Sequence, residues 1–387
     1  MQSFSVIPDS NSPNVVLVFS VRSTTPGKFT YWKTVQGLPA TKIFINDFSS
    51  RWYIDGTPEF QSHDEFLSNL RETVGKHLKD GGEIWTVGSS MGGYAALRYG
   101  SLLGANKILS FGPESELCIP LGKSVTSVKD RREGDEPIFS LPHREDAAIS
   151  IIFGNNDIVD LYSATKFKRH NPSINLISLN NHVHAVAGEL SKTIDMAALF
   201  KNFFRTGQID DLQSCAIPDY EEVRAIRKLN EDFHVRKKID ASALSAIESA
   251  LGENPSWSMG NYLYGLLLQH NGFVSAALNH YRAAYSFNSE LGRARLRSAE
   301  ILYARKLYNE VITELDCLAG KKFNFECASL TSRSHSALGN KLGAVSAWER
   351  FLKHGTNLKH VTEAKDRASQ LLSDYVSKLG FQVKVAS

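Results

Sequence analysis

Nowhere in the 387 residues is there an unbroken apolar run of about 18, the length a membrane-spanning helix requires. A transmembrane segment is therefore not expected. The opening Met1-Gln2-Ser3-Phe4-Ser5 lacks a basic stretch followed by an apolar one, so no export signal is read there and a cytoplasmic protein is expected. Cysteine is scarce: Cys118, Cys215, Cys317 and Cys327 form no CxxC pair and no metal-ligand spacing. They fit reduced, packed thiols better than a disulfide framework, and no metal site is expected. Excess charge is missing too. With 44 Lys and Arg against 41 Asp and Glu the net is +3, and the pairs Arg131-Arg132 and Lys237-Lys238 read as solvated surface. This balance gives no electrostatic case for a nucleic-acid partner.

What is present is the composition of a folded globular protein, 42% apolar and 22% charged, and a length suited to two domains. Short β-rich runs alternate with helical stretches as far as Arg205. Strands are predicted at 4–7, 15–21, 42–46, 84–87, 107–111, 148–153 and 175–179. Several are nearly continuous apolar runs, such as Val15-Val16-Leu17-Val18-Phe19, as parallel strands covered on both faces require. Apolar residues at three-to-four spacing predict helices over 64–78, 92–103 and 191–204, with another opening near 162–168. This alternation predicts a doubly wound α/β sheet.

After Arg205 the strand signals stop, and Thr206-Gly207-Gln208-Ile209-Asp210-Asp211 is polar with a helix-ending glycine. The expected division is a catalytic domain over 1–205, a linker over 206–218 and an all-α domain over 219–387. Within the second half, Gly265, Ala277, Tyr281 and Ala284 stand at offsets 0, 12, 16 and 19, the tetratricopeptide spacing. Two further sets follow with the same internal offsets, roughly one tetratricopeptide length apart: Ala299, Val311, Leu315 and Leu318, then Ser332, Ala344, Trp348 and Phe351. A small residue on one helix lets the next approach, and the aromatic fills the groove between them. Helices over 219–234 and 241–251 would precede the repeats, and one over 361–379 would cap them. Such surfaces commonly bind a protein or peptide partner.

The chemistry is carried by Gly88-Ser89-Ser90-Met91-Gly92, which follows the β-rich Glu83–Val87 and leads into the helix start Gly93-Tyr94-Ala95-Ala96-Leu97. This strand–turn–helix context is that of a nucleophile elbow. The glycines two before and two after the serine relieve a strained backbone, and Ser90 is left exposed at a helix N-terminus. Met91 N–H is the first expected oxyanion donor. On these residues, 1–205 resembles the α/β-hydrolase fold.

That resemblance implies the chain order nucleophile, acid, histidine. The acid is expected where Ile149–Phe153 runs into Gly154-Asn155-Asn156-Asp157; Asp157 is the choice and Asp160 the alternative, Asp157 also being a natural helix N-cap. For the histidine, Asn180-Asn181-His182-Val183-His184 offers two candidates that spacing does not separate. His184 is preferred, because it directly precedes Ala185-Val186-Ala187. The second oxyanion donor is expected from the loop after the second strand, at the backbone of Val21, although no HGGG-type run is present there. Arg22 is a candidate for a substrate anion, and Trp52 and Tyr53 for a sugar-stacking platform, with ordinary packing as the other reading.

Only 118–141 is long enough to form a small cap, so an open site is expected. Phe44-Ile45-Asn46-Asp47, Arg51-Trp52-Tyr53, Gly56, the elbow, Phe111-Gly112-Pro113-Glu114 and His184–Ala187 resemble hydrolase-fold proteins of bacterial capsule and surface-polysaccharide loci, which include polysaccharide O-acetyltransferases. The expectation is a serine-nucleophile acyl-transfer enzyme of esterase or deacylase type acting on an ester, with no cofactor. The alternative is an O-acetyltransferase with acetyl-CoA as co-substrate and a glycan acceptor. A rival of another class is a repeat-containing adaptor with an inactive hydrolase-like domain.

Overall fold

Val15–Phe19 is fully buried along its whole length, which places it inside a sheet covered on both faces. The structure is a computed structural model; it describes residues 2–60, 62–128, 137–236, 238–239, 241–318 and 320–378. Arg131-Arg132, Lys237, Leu379 and the middle of the expected 118–141 cap lie outside those residues.

Seven strands, β1 (Phe4–Ile7), β2 (Val15–Phe19), β3 (Thr41–Ile45), β4 (Ile84–Ser89), β5 (Lys107–Phe111), β6 (Ala148–Gly154) and β7 (Asn175–Leu179), form one sheet in the order β1-β3-β2-β4-β5-β6-β7. Only β1 runs antiparallel, against β3. The elbow strand β4 is thus central, and the loops leaving the carboxyl ends of its neighbours meet around it, where open α/β sheets place their sites.

The helices of this part are α1 (His63–His77), α2 (Met91–Leu103), α3 (Ile158–His170), α4 (Val186–Leu190) and α5 (Met196–Thr206), followed by α6 (Tyr220–Glu231) and α7 (Leu244–Glu253). Alternation along β4 divides its side chains between two faces. Trp85 and Val87 join a core with Phe200, Phe203 and Phe204 of α5, the Trp85 and Phe204 rings stacking at 5.0 Å, while Thr86 hydrogen-bonds Ala96 O of α2. The helix expected over 191–204 starts later, as α5 at Met196, because the Asp195 carboxylate accepts from Ala197 and Ala198 N–H and caps it there.

The chain divides into two compact units, but after Trp257 rather than within 206–218. Gly207 does end α5 in a left-handed cap. The segment beyond it returns to the exposed edge of β7, with Ser178 N donating to Ser214 Oγ and Cys215 N donating to Ser178 O. On α6, Val223, Ile226 and Leu229 are buried, Tyr220 packs on Tyr162 of α3, and the Arg227 guanidinium sits over the Tyr162 ring at 4.6 Å. Trp257 closes the unit, its Nε1–H donating to Asn155 O at 3.0 Å.

The second unit consists of α8 (Ser258–His270), α9 (Val274–Phe287), α10 (Gly292–Ala304), α11 (Tyr308–Asp316), α12 (Phe325–Ala337), α13 (Lys341–Leu352) and α14 (Leu358–Lys378). Every position of the three aligned sets is buried. A Cβ on Gly265 would come within 2.7 Å of the Tyr281 ring, so the smallest residue is needed where α8 meets α9. Among the described residues no helix is long and apolar enough to cross a membrane.

Candidate active site

Ser90 holds φ 54° and ψ −118°, a backbone conformation unusual for a residue with a side chain. Its surroundings make that conformation compulsory. A Cβ on Gly88 would lie 2.0 Å from Gly92 O, and one on Gly92 would lie 2.3 Å from Phe19 O, the last residue of β2. The glycines therefore allow β2, β4 and the first turn of α2 to crowd together, and that crowding pushes the serine out at the tip. No side chain caps α2, which leaves the positive end of the helix facing the serine.

Ser90 Oγ lies 2.7 Å from Nε2 of His184. On the other side of the ring, Nδ1 lies 2.8 Å from Oδ1 and 3.0 Å from Oδ2 of Asp160. A neutral imidazole in this setting donates its Nδ1–H to Asp160 and accepts from Ser90, which is the tautomer a general base needs. Asp160 is almost wholly buried and His184 mostly so. Burial pushes the Asp160 carboxyl up to about 6 against the pull of His184. Burial also opposes the imidazolium, yet the charge and hydrogen bond of Asp160 outweigh it and raise His184 above its ordinary value.

The acid facing the histidine is thus Asp160 and not Asp157. Asp157 caps α3: its Oδ1 accepts from Val159 N at 3.0 Å and Asp160 N at 3.3 Å, and its Oδ2 pairs with Lys123 Nζ at 2.9 Å. Both oxygens are committed. Burial works against this carboxylate, but the charges of Lys123 and His184 hold it below the usual range. Of the two histidines, His182 turns away and pairs through Nδ1 with Glu189 Oε2 at 2.6 Å. Asn181 between the strand end and His182 has φ 61°, and a Cβ on Gly154 would meet His182 O at 2.3 Å, so the turns after β6 and β7 interlock.

No protein-family model matches the chain, and no curated protein matches it in sequence. Among solved structures, the capsule O-acetyltransferase of Neisseria meningitidis serogroup A is similar at 16% identity over 53% of this chain and 93% of that one, with a TM-score of 0.40. One structure of that enzyme is a complex with CoA. A serine hydrolase without lid from Xanthomonas campestris matches at 16% identity over 53% and 86% of the two chains, TM-score 0.35. MenH from S. aureus matches at 14% over 54% and 100%, TM-score 0.36. The sheet is of α/β-hydrolase type.

The remaining expected site residues are partly displaced from their roles. Met91 opens α2 directly after the serine, as an oxyanion donor requires. The Val21 N–H is taken by Thr30 Oγ1 at 3.1 Å, so it is not a free second donor. Trp52 and Tyr53 are no platform. Both are buried, with φ 59° and 54°, and the Tyr53 hydroxyl donates to Ser20 O at 2.9 Å while the Asp47 carboxylate accepts Tyr53 N–H at 3.1 Å. Arg22 lies over the Trp52 ring and donates to Thr126 Oγ1 at 2.8 Å and Lys123 O at 3.3 Å, which ties down a loop.

Three contributors carry no signal in the sequence: Lys123, Glu114 beyond its place in a string, and the asparagines that join the acid and histidine turns. Asn181 N donates to Asn155 Oδ1 at 2.8 Å, Asn156 Nδ2 to Asn181 O at 3.0 Å, and Asn180 Nδ2 to Ser256 Oγ at 2.9 Å. Beside the elbow, a cavity of about 810 Å³ is lined by Val21, Tyr31, Trp32, Ser89, Ala187 and Gly188, among others.

Proposed function

We propose that the chain is a serine-dependent acyl-transfer enzyme of esterase or deacylase type, with Ser90 as nucleophile, His184 as base and Asp160 as the acid that orients it. The observation that carries this is the Ser90 Oγ to His184 Nε2 contact of 2.7 Å on a histidine fixed from behind by Asp160. A serine hydroxyl is a poor nucleophile at neutral pH until a base takes its proton as it attacks. In this reading Ser90 Oγ bonds to the carbonyl carbon of an ester, its proton passes to His184 Nε2, and the oxyanion is met by Met91 N–H. Collapse breaks the bond to the alcohol, which leaves with the proton from His184. The acyl-enzyme is then attacked by water, whose proton goes to His184; collapse breaks the bond to Ser90 Oγ, which takes that proton back as the carboxylic acid leaves.

A second reading changes only the donor and acceptor. Acetyl-CoA would give the acetyl group, its thiolate leaving as the thiol, and a glycan hydroxyl would take water's place. The similarity of Phe44–Asp47, Arg51–Tyr53 and His184–Ala187 to proteins of surface-polysaccharide loci supports it. In both readings the second unit is the place for a protein or peptide partner.

Labelling with a fluorophosphonate and mapping the adduct by mass tests the reading. Modification of Ser90 in folded protein is expected, and its absence together with no turnover of acetyl esters would leave the adaptor in its place. Incubation with acetyl-CoA and a panel of bacterial glycans separates the two enzymes: acetylated glycan in excess of free acetate identifies a transferase.

A further inference from the structure

Two acids and a histidine meet in a space where a triad needs one acid. One oxygen from each of Asp157 and Asp160 and a ring nitrogen of His184 all lie within 4.8 Å of one another. Both carboxylates are withdrawn from water, with side-chain exposures of 13% and 1%. Two buried like charges so close disfavour each other's ionisation, and together they hold a neighbouring imidazole in its charged form. A base must be neutral to act.

We propose that Lys123 is a positioning residue for the triad: it pairs with Asp157 and offsets the pull of that second acid on His184, so that Asp160 dominates the imidazole. This rests on the acyl-transfer reading above. Lys123 reaches Asp157 from the loop after β5, and its Nζ stands 2.9 Å from Oδ2. The loop is built to aim it. The Glu114 carboxylate is buried and accepts from Lys123 N, from Ser124 N at 3.0 Å and from the Ser124 hydroxyl. Gly122 lets the turn close, since a Cβ there would lie 2.8 Å from Ile119 O. From the other side Arg22 donates to Lys123 O and Thr126 Oγ1. The backbone of Lys123 is therefore gripped by an acid on one side and a guanidinium on the other, with its amine directed at Asp157.

Among the described residues, Asp160, Asp157, Lys123 and Glu114 are charged groups that act on His184. Among them Lys123 acts against the imidazolium and Asp157 for it. Removing either changes the histidine in opposite directions, which a purely structural role does not predict.

The experiment follows the His184 imidazole by NMR titration of the full chain without substrate, alongside the acid limb of kcat/KM. In Lys123→Met both are expected to move upward by roughly 0.5–1 pH unit, less than the 1–3 units of a direct charge contact because the lysine is partly exposed and acts through Asp157. Asp157→Asn keeps the helix cap and is expected to move both downward. Lys123→Arg should restore the wild-type curve. An unchanged titration in both single variants overturns the proposal, as does a shift of the same sign in both. The NMR readout requires no turnover, so shifts of the expected signs in a chain that never labels at Ser90 would sink the enzyme reading while leaving the charge coupling in place.

Discussion

Asp157 and Asp160 stand one turn apart at the start of the same helix, and only Asp160 touches His184. The difference follows from the backbone. An N-cap turns its carboxylate toward the first-turn amides, so Asp157 faces Val159 and Asp160 N–H. Asp160, inside the helix, projects sideways to Nδ1 of His184 at 2.8 Å. Asp160→Asn is expected to reduce kcat roughly a thousand- to ten-thousandfold, because an amide in that place favours the wrong tautomer. Asp157→Asn should cost less than about tenfold, since asparagine caps a helix as well as aspartate does. Steady-state rates on an acetyl ester compare the two. Equal losses would mean that the assignment of the acid is wrong.

The histidines are separated in the same way. His184→Gln should remove nearly all turnover and most labelling of Ser90, because among the described residues no other base lies against the serine. His182→Gln loses a half-exposed pairing with Glu189, which is worth about 1 kcal/mol or less. Its kcat should stay within a few-fold of wild type. A collapse of activity in His182→Gln with the fold intact would exchange the two roles.

The pH dependence has a definite sign. His184 is raised above its ordinary value of about 6.5, and only the neutral ring accepts the serine proton. Activity is therefore expected to fall as pH drops through a midpoint above about 6.5. In Asp160→Asn the main group that raises His184 is gone, while burial and Lys123 still oppose the imidazolium and Asp157 still favours it, so the residual activity should carry its acid limb at lower pH. A pH series of kcat/KM on both proteins checks this. A midpoint that stays in place in the variant would show that Asp160 does not set the imidazole.

The elbow was legible because it is local: two glycines, a strand before and a helix after all fall within a few residues of Ser90. The acid was harder to read. Its choice depends on where α3 begins and on Lys123 occupying Asp157 from far along the chain. Trp52 and Tyr53 look like a platform in one dimension, but left-handed backbone turns drive both inward, and the Tyr53 hydroxyl finds Ser20 O. The Val21 amide lies on the loop after β2, but its N–H goes to Thr30 Oγ1 from nine residues on, a pairing that spacing does not announce. Helical periodicity locates α6 and α7 well but does not say which surface they pack on: α6 packs on α3 and α7 on α6, within the first unit.

Gly92 offers a test of the packing. In Gly92→Ala the new methyl would face Phe19 O at 2.3 Å and Ser20 O at 2.9 Å, both backbone atoms that cannot swing aside. The variant should lose roughly 1–3 kcal/mol of stability and much of its labelling at Ser90. Gly75→Ala is the contrast, since that glycine lies in α1 with nothing within 4 Å, and it should gain roughly 0.5–1 kcal/mol from helix propensity. Urea unfolding of the two variants measures both. A tolerated Gly92→Ala would contradict the close approach of β2 to the elbow.

Where the first unit ends decides whether the site survives alone. The turn carrying the acid and the turn carrying the histidine are joined through Asn155, Asn180 and Asn181, and these are in turn held by Asn254, Ser256 and Trp257. A chain ending after Arg205 loses that clamp, uncovers the edge of β7 and exposes the apolar side chains that α6 covers, each worth about 1.5–3 kcal/mol when buried. A chain ending after Trp257 keeps all of it. Residues 1–257 are expected to unfold in one cooperative transition and to label at Ser90, whereas residues 1–205 should be poorly soluble or melt far lower and fail to label. Circular dichroism melts with the fluorophosphonate assay compare them. If the shorter chain folds and labels as well as the longer one, then α6, α7 and the asparagine clamp are accessories of the second unit, and the boundary lies where the polar stretch after Arg205 first indicated it.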